Sequence, residues 1–152
     1  VIKPGLEFVY EAGGALGEAI PIGQTYDGTR RIIPIFSGPV EGPDIRGSLL
    51  GQGADWQLTR ADGVTVADAT YAIETDDGVV IQIRNRGLRH GPAEVMQRLG
   101  RGEDVDPADY YFRTIPEFIA PVGKYDWLNR SVFVCAGARY ALGIKLWVWR
   151  VT

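Results

Sequence analysis

Three side chains in this 152-residue chain are suited to moving a proton: Asp55, His90 and Tyr111. His90 is the only histidine and sits in IQIRNRGLRHGP, Ile81–Pro92, which begins as an alternating strand and turns polar with Arg84, Asn85, Arg86 and Arg89. Asp55 follows a glycine-rich turn, in GQGADW. Tyr111 lies in YYFRTIPEF, where aromatic and basic residues alternate. An aspartate or histidine can take and return a proton. A tyrosine, asparagine or arginine can hold an oxygen on which negative charge develops. Asn85, Arg113 and Asn129 join the polar candidates on that ground, and Trp56, Tyr71, Phe112 and Trp127 could wall an apolar or aromatic ligand. Each has a plainer reading. Asp55 fits a turn cap, the arginines fit surface ion pairs, and the tryptophans fit core filling.

Other chemistries lack their residues. One histidine and one cysteine make a thin metal site, so no metal is expected. No phosphate loop, dinucleotide fingerprint or G-x-S-x-G elbow is present, and no cofactor is expected. Cys135, between Val134 and Ala136, reads as inert core, and a lone cysteine allows no internal disulfide. The formal net charge of −3 and the absence of a long basic run argue against nucleic acid. No apolar stretch is long enough to span a bilayer, and VIKPGLEFVY lacks the pattern of a signal peptide. The expected location is the cytoplasm.

These side chains need a scaffold of strands. Leu6–Tyr10, Thr29–Phe36, Ile45–Leu50, Gln57–Arg60, Val64–Thr75, Val79–Asn85, Tyr110–Phe118, Ser131–Ala136 and Ile144–Val151 read as strands, while Ala12–Asp27 reads as loop or irregular strand. Asp62-Gly63 and Asp76-Asp77-Gly78 are hairpin turns, so the middle strands form an antiparallel meander. Pro92–Gly100 is the one helix, with a narrow Val95, Met96, Leu99 stripe that must dock, for instance across a barrel mouth. Parity puts Asn85 inward with Ile81 and Ile83, and Arg84 outward, unless a bulge near Gly87 reverses this. The expected fold is all-β, one domain over residues 1–152, closed as an antiparallel barrel. A β-sandwich is the competing architecture.

The chain also resembles the bacterial and fungal DUF3237 family. The likeness rests on the order and spacing of LEFVYEA, RIIPIFSGPVEGPDIRG, GQGADWQL, the TDDG turn, VVIQIRNRGLRHGP, YYFRTIPEF and YDWLNRSVFV. It implies a barrel of the calycin or allene-oxide-cyclase kind, with Asp55, the 84–90 segment, Tyr111, Arg113 and Asn129 in recurrent polar stretches. It assigns no activity. Two functions fit these readings. The first is a cofactor-independent enzyme acting on a small, largely apolar carbonyl compound by isomerisation, cyclisation or Michael- or aldol-type addition–elimination. Asp55 is then the base, Tyr111 the acid or oxyanion donor and His90 the alternate base, with Asn85 and Arg113 orienting the substrate. The second is a lipocalin-like carrier with no chemistry. A third, structural, reading makes the aromatic last strand a homodimer interface.

Overall fold

The computed structural model describes residues 1–152. Eleven strands run in chain order: β1 Leu6–Ala15, β2 Ile20–Thr25, β3 Gly28–Ile35, β4 Gly38–Glu41, β5 Gly47–Leu49, β6 Gly53–Thr59, β7 Thr65–Thr75, β8 Val80–His90, β9 Tyr111–Ile119, β10 Val132–Tyr140 and β11 Gly143–Val151. One helix, α1 Ala93–Gly100, and two 3-10 turns, Pro107–Asp109 and Asp126–Arg130, complete the chain.

All pairings are antiparallel, and they close on themselves. From β7 the sheet passes through β8, β9, β10, β11, β1, β4 and β5 and returns to β7, a barrel of eight staves. At the other end of β7 its partner is β6, which continues the line of β5 beyond the turn at Leu50–Gln52. Likewise β3 pairs with β6 and leads into β4, and a Leu16–Ile35 bridge joins β3 to the end of β1. Two bent strands therefore each serve two levels of the barrel. Closure leaves β2 as a hairpin extension, and few strand edges stay unpaired. No helix is long and apolar enough to cross a membrane.

Three local features depart from the pattern read off the sequence. Leu6, Phe8 and Tyr10 do not share a face, because the register with β11 shifts between Phe8 and Tyr10. That bulge leaves Leu6 and Phe8 exposed while Val9 and Tyr10 are both buried. The glycine-rich stretch after Tyr10 is strand to Ala15 and again from Ile20, since backbone pairing with β11 and β3 outweighs its weak propensity. β8 runs five residues beyond Asn85, paired continuously with β7 and β9, so no bulge reverses its parity.

One half of the barrel is solid. Tyr10, Ile73, Ile81, Phe118, Phe133 and Leu128 belong to a single buried cluster at the end covered by the Asp126–Arg130 turn. The other half is capped by α1, whose Val95, Met96 and Leu99 lie with Val105, Tyr110, Phe112 and Ile144. The short helix is stabilised by that docking, as its length demands.

Candidate active site in the barrel lumen

Between the solid half and α1 lies a slender lumen. It comprises about 600 Å³ out to its open mouth, of which only about 50 Å³ admits the centre of a water molecule. Its walls are mainly apolar, including Ile33, Ile35, Leu49, Ala69, Phe112 and Leu146. Asp55, Gln57, Tyr71, Asn85, Arg89, Thr114 and Arg139 supply its polar groups.

Strand alternation explains which residues arrive there. Ile81 and Ile83 face in, so Asn85 and Arg89 on the same parity also face in. On β6 the inward face carries Asp55 and Gln57, and the intervening Trp56 is about half exposed on the outside. Asp55 pairs with Ala69, and Ala69 with Asn85, so these three form one tier on neighbouring strands. Two strand spacings separate the Asp55 and Asn85 backbones by roughly 10 Å across that tier, and both side chains line the lumen.

The turn that delivers Asp55 is unusual. Gln52 holds a left-handed backbone, φ 76°. Gly53 follows because a Cβ there would lie 2.6 Å from the Cβ of Tyr71. Asp55 itself is not a turn cap. Its Oδ1 accepts from the Asp68 N–H at 2.8 Å across the sheet, and its Oδ2 accepts from Gln57 Nε2 at 3.2 Å. Gln57 is held in turn by Arg31, whose Nε donates to Gln57 Oε1 at 2.7 Å. Burial raises the Asp55 carboxyl above its ordinary range, against the lowering effect of these donors and of the nearby Arg89 charge.

Deeper in, Asn85 Nδ2 donates to the Tyr71 hydroxyl at 3.3 Å, while Asn85 Oδ1 and Thr114 Oγ1 are buried without a partner. Burial raises the Tyr71 phenol strongly, so it stays protonated and keeps a proton to donate. Cys135 lies buried next to this group, its thiol pushed up to about 11 by desolvation, and it is no nucleophile at neutral pH. Arg89 is 7 % exposed, and burial together with the charges of Arg31 and Arg139 pulls it down to about 10.

The lumen therefore gathers Asp55, Tyr71, Asn85 and Phe112 from among the candidates. The remaining six stand elsewhere, and each placement corrects the expectation of a shared cavity. His90 and Tyr111 stack on each other at 4.8 Å, and both are exposed outside the barrel. Arg113 shares their outward parity and lies over the Tyr111 ring. Trp56 points outward between Asp55 and Gln57. Trp127 rests on Phe133 at the solid end. Asn129 clamps Ala120, donating to its carbonyl and accepting from its N–H, both at 2.8 Å. Gln57, Arg89, Thr114 and Arg139 were missed. Parity marked Arg89 and Gln57, since each is an even number of residues from an inward neighbour.

A family model described as "protein of unknown function (DUF3237)" matches residues 4–151. The chain belongs to the DUF3237 family. Among DUF3237 relatives, a UPF0311 protein of Bradyrhizobium diazoefficiens is 42 % identical over 135 residues, spanning 89 % of this chain and 88 % of its own. The crystal structure of a conserved protein of unknown function from Rhodopseudomonas palustris superposes with a TM-score of 0.94 at 39 % identity, over 100 % of this chain and 99 % of that one. A structure described as a β-barrel-like protein from Acinetobacter baumannii superposes at 0.87 with 36 % identity, over 100 % and 98 %. A more remote match is the hydroalkoxylation enzyme phnH of Penicillium herquei, 32 % identical over 80 residues and 53 % of each chain.

Proposed function

We propose that the protein is a cofactor-independent enzyme that moves a proton on a small, largely apolar carbonyl compound held in the lumen. The observation that carries this reading is Asp55: a carboxyl raised by burial, in an apolar cavity, on the same tier as Asn85, whose amide donates to the Tyr71 hydroxyl. A base with its pKa raised toward neutrality is better matched to abstracting a proton. The Tyr71 O–H and the Asn85 amide are donors for a carbonyl oxygen that becomes an enolate. The enzyme role moves from Tyr111 and His90 to these lumen groups.

A conjugate addition fits this set. Asp55 takes the proton of a hydroxyl on the ligand, and the oxygen bonds to the β-carbon of an activated C=C. The π electrons pass to the carbonyl oxygen, where Tyr71 stabilises the enolate. The protonated Asp55 then returns its proton to the α-carbon, and the carbonyl re-forms. The same two groups serve an isomerisation, in which the proton is taken from carbon. The name of phnH supports the addition over the isomerisation, as the activity of a remote relative.

The test is a screen of enones and other carbonyl compounds followed by Asp55→Asn and Tyr71→Phe. Turnover should fall by about 100-fold or more in the first and about tenfold or more in the second. Full turnover in folded Asp55→Asn would refute the proposal. Tight binding without turnover across the screen would favour the carrier instead.

A further inference from the structure

Asp55 and Tyr71 account for a reacting centre, yet they leave Arg89 and Arg139 in the lumen wall, and Arg31 behind Gln57, without a role. Arg31 on β3, Arg89 on β8 and Arg139 on β10 are each on the inward parity of their strands. Their charges reach one another, since Arg31 and Arg139 both weaken the protonated state of Arg89. None of them takes part in any of the nine ion pairs of the protein. Of the three, Arg89 acts on the nearby Asp55 carboxylate, which accepts one hydrogen bond at each oxygen, from the Asp68 N–H and from Gln57.

Arg89 is the most telling of the three. It is 7 % exposed, and its Nε has no hydrogen-bond partner. Its guanidinium lies 5.6 Å from the centre of the Phe112 ring, a wall of the lumen. The ring offers that cation its π face but no acceptor for its N–H donors. Its two companions are fixed by neutral acceptors. Arg31 is held by Gln57, and Arg139 Nη1 donates to the carbonyls of Tyr140 and Gly143. A buried cation without a partner carries an uncompensated desolvation cost that a hydrogen-bonded anion offsets.

We propose that Arg31, Arg89 and Arg139 form a subsite for the carboxylate of an otherwise apolar small molecule whose body fills the lumen. A planar carboxylate matches the guanidinium fork with two parallel hydrogen bonds. The narrow, apolar walls behind the rim suit a flat hydrocarbon or aryl body. The substrate class of the proposed enzyme becomes a small unsaturated or aromatic carbonyl compound that also carries a carboxylate. This assignment rests on reading the lumen as a ligand site, and it does not require catalysis there.

Benzoate and benzamide, alike in shape and different in charge, are the probes, with binding measured by calorimetry on the whole chain. Benzoate should bind about tenfold or more tightly than benzamide, and Arg89→Met should bring that ratio close to one. Should Arg89→Met fail to fold, Arg139→Gln serves in its place and should lower the ratio severalfold. Equal affinity for the two probes, a ratio unchanged in the folded variant, or no benzoate binding up to about 10 mM would each overturn the subsite. Asp55→Asn separates this from the catalytic reading. It should bind benzoate at least as tightly as the parent, because it removes the competing negative charge, while losing turnover. Retained turnover in that variant defeats the base and leaves the subsite standing.

Discussion

Burial raises the Asp55 carboxyl, so its protonation extends to a higher pH in the folded protein than in the unfolded chain. The stability gained by holding the neutral form is fully present below the unfolded value near 3.9, and it is lost as pH rises through the folded one. Asp55→Asn removes this dependence. The stability of Asp55→Asn relative to the parent should therefore increase between about pH 4 and pH 7, in urea unfolding at several pH values. The catalytic consequence has the opposite direction. A general base works when ionised, so turnover should decline in acid along a limb that lies above the ordinary aspartate range. A limb at or below that range would assign the proton transfer to another group. Outside the barrel, His90→Asn and Tyr111→Phe should leave both turnover and benzoate binding within about twofold of the parent.

At the scale of elements, the β5–β6 corner and the β8–β9 seam position these groups. Gln52 occupies a left-handed conformation that a glycine adopts without strain. Gln52→Gly should stabilise the protein by about 0.5–1 kcal/mol, read from thermal or urea unfolding, without altering ligand binding. Gly87 sits where β8 passes close to β9, and a Cβ there would lie 2.1 Å from the Arg113 carbonyl oxygen. Gly87→Ala should cost about 1–3 kcal/mol and weaken benzoate binding, because the strands must separate one tier below Arg89. The meander, the helix and the inward setting of Asn85 were legible, because alternation in β7 and β8 is strict and the turn chemistry is strong. Tyr111 and Arg113 were misplaced although the same alternation opposes them to Phe112, which faces the lumen. Their polar chemistry outweighed their parity in the choice of candidates. The β1 bulge was not legible, because LEFVYEA alternates as a regular strand does, and only pairing with β11 displaces Val9. Arg89 shares the parity of Asn85, but a strand taken to end at Asn85 leaves that parity without consequence, and β8 in fact runs on to His90.

For the molecule as a whole, the asymmetry between its two halves decides more than any one side chain. The cluster around Tyr10, Phe118 and Phe133 is solid, and Leu128 of the Asp126–Arg130 turn plugs into it at 1 % exposure. The lumen lies on the α1 side of that cluster, with Arg89 and Arg139 in its wall. A vessel with one door imposes an order of traffic. A guest enters with its greasy end leading and its acid trailing, and it must back out by the same path before another arrives. Two bulky reactants cannot be aboard together, so any bond made inside joins parts of one molecule or uses a partner as small as water. Product and substrate then exclude each other, and steady-state kinetics should show purely competitive inhibition by product. A mixed pattern would mean that product and substrate are bound at once, and so that a second site exists.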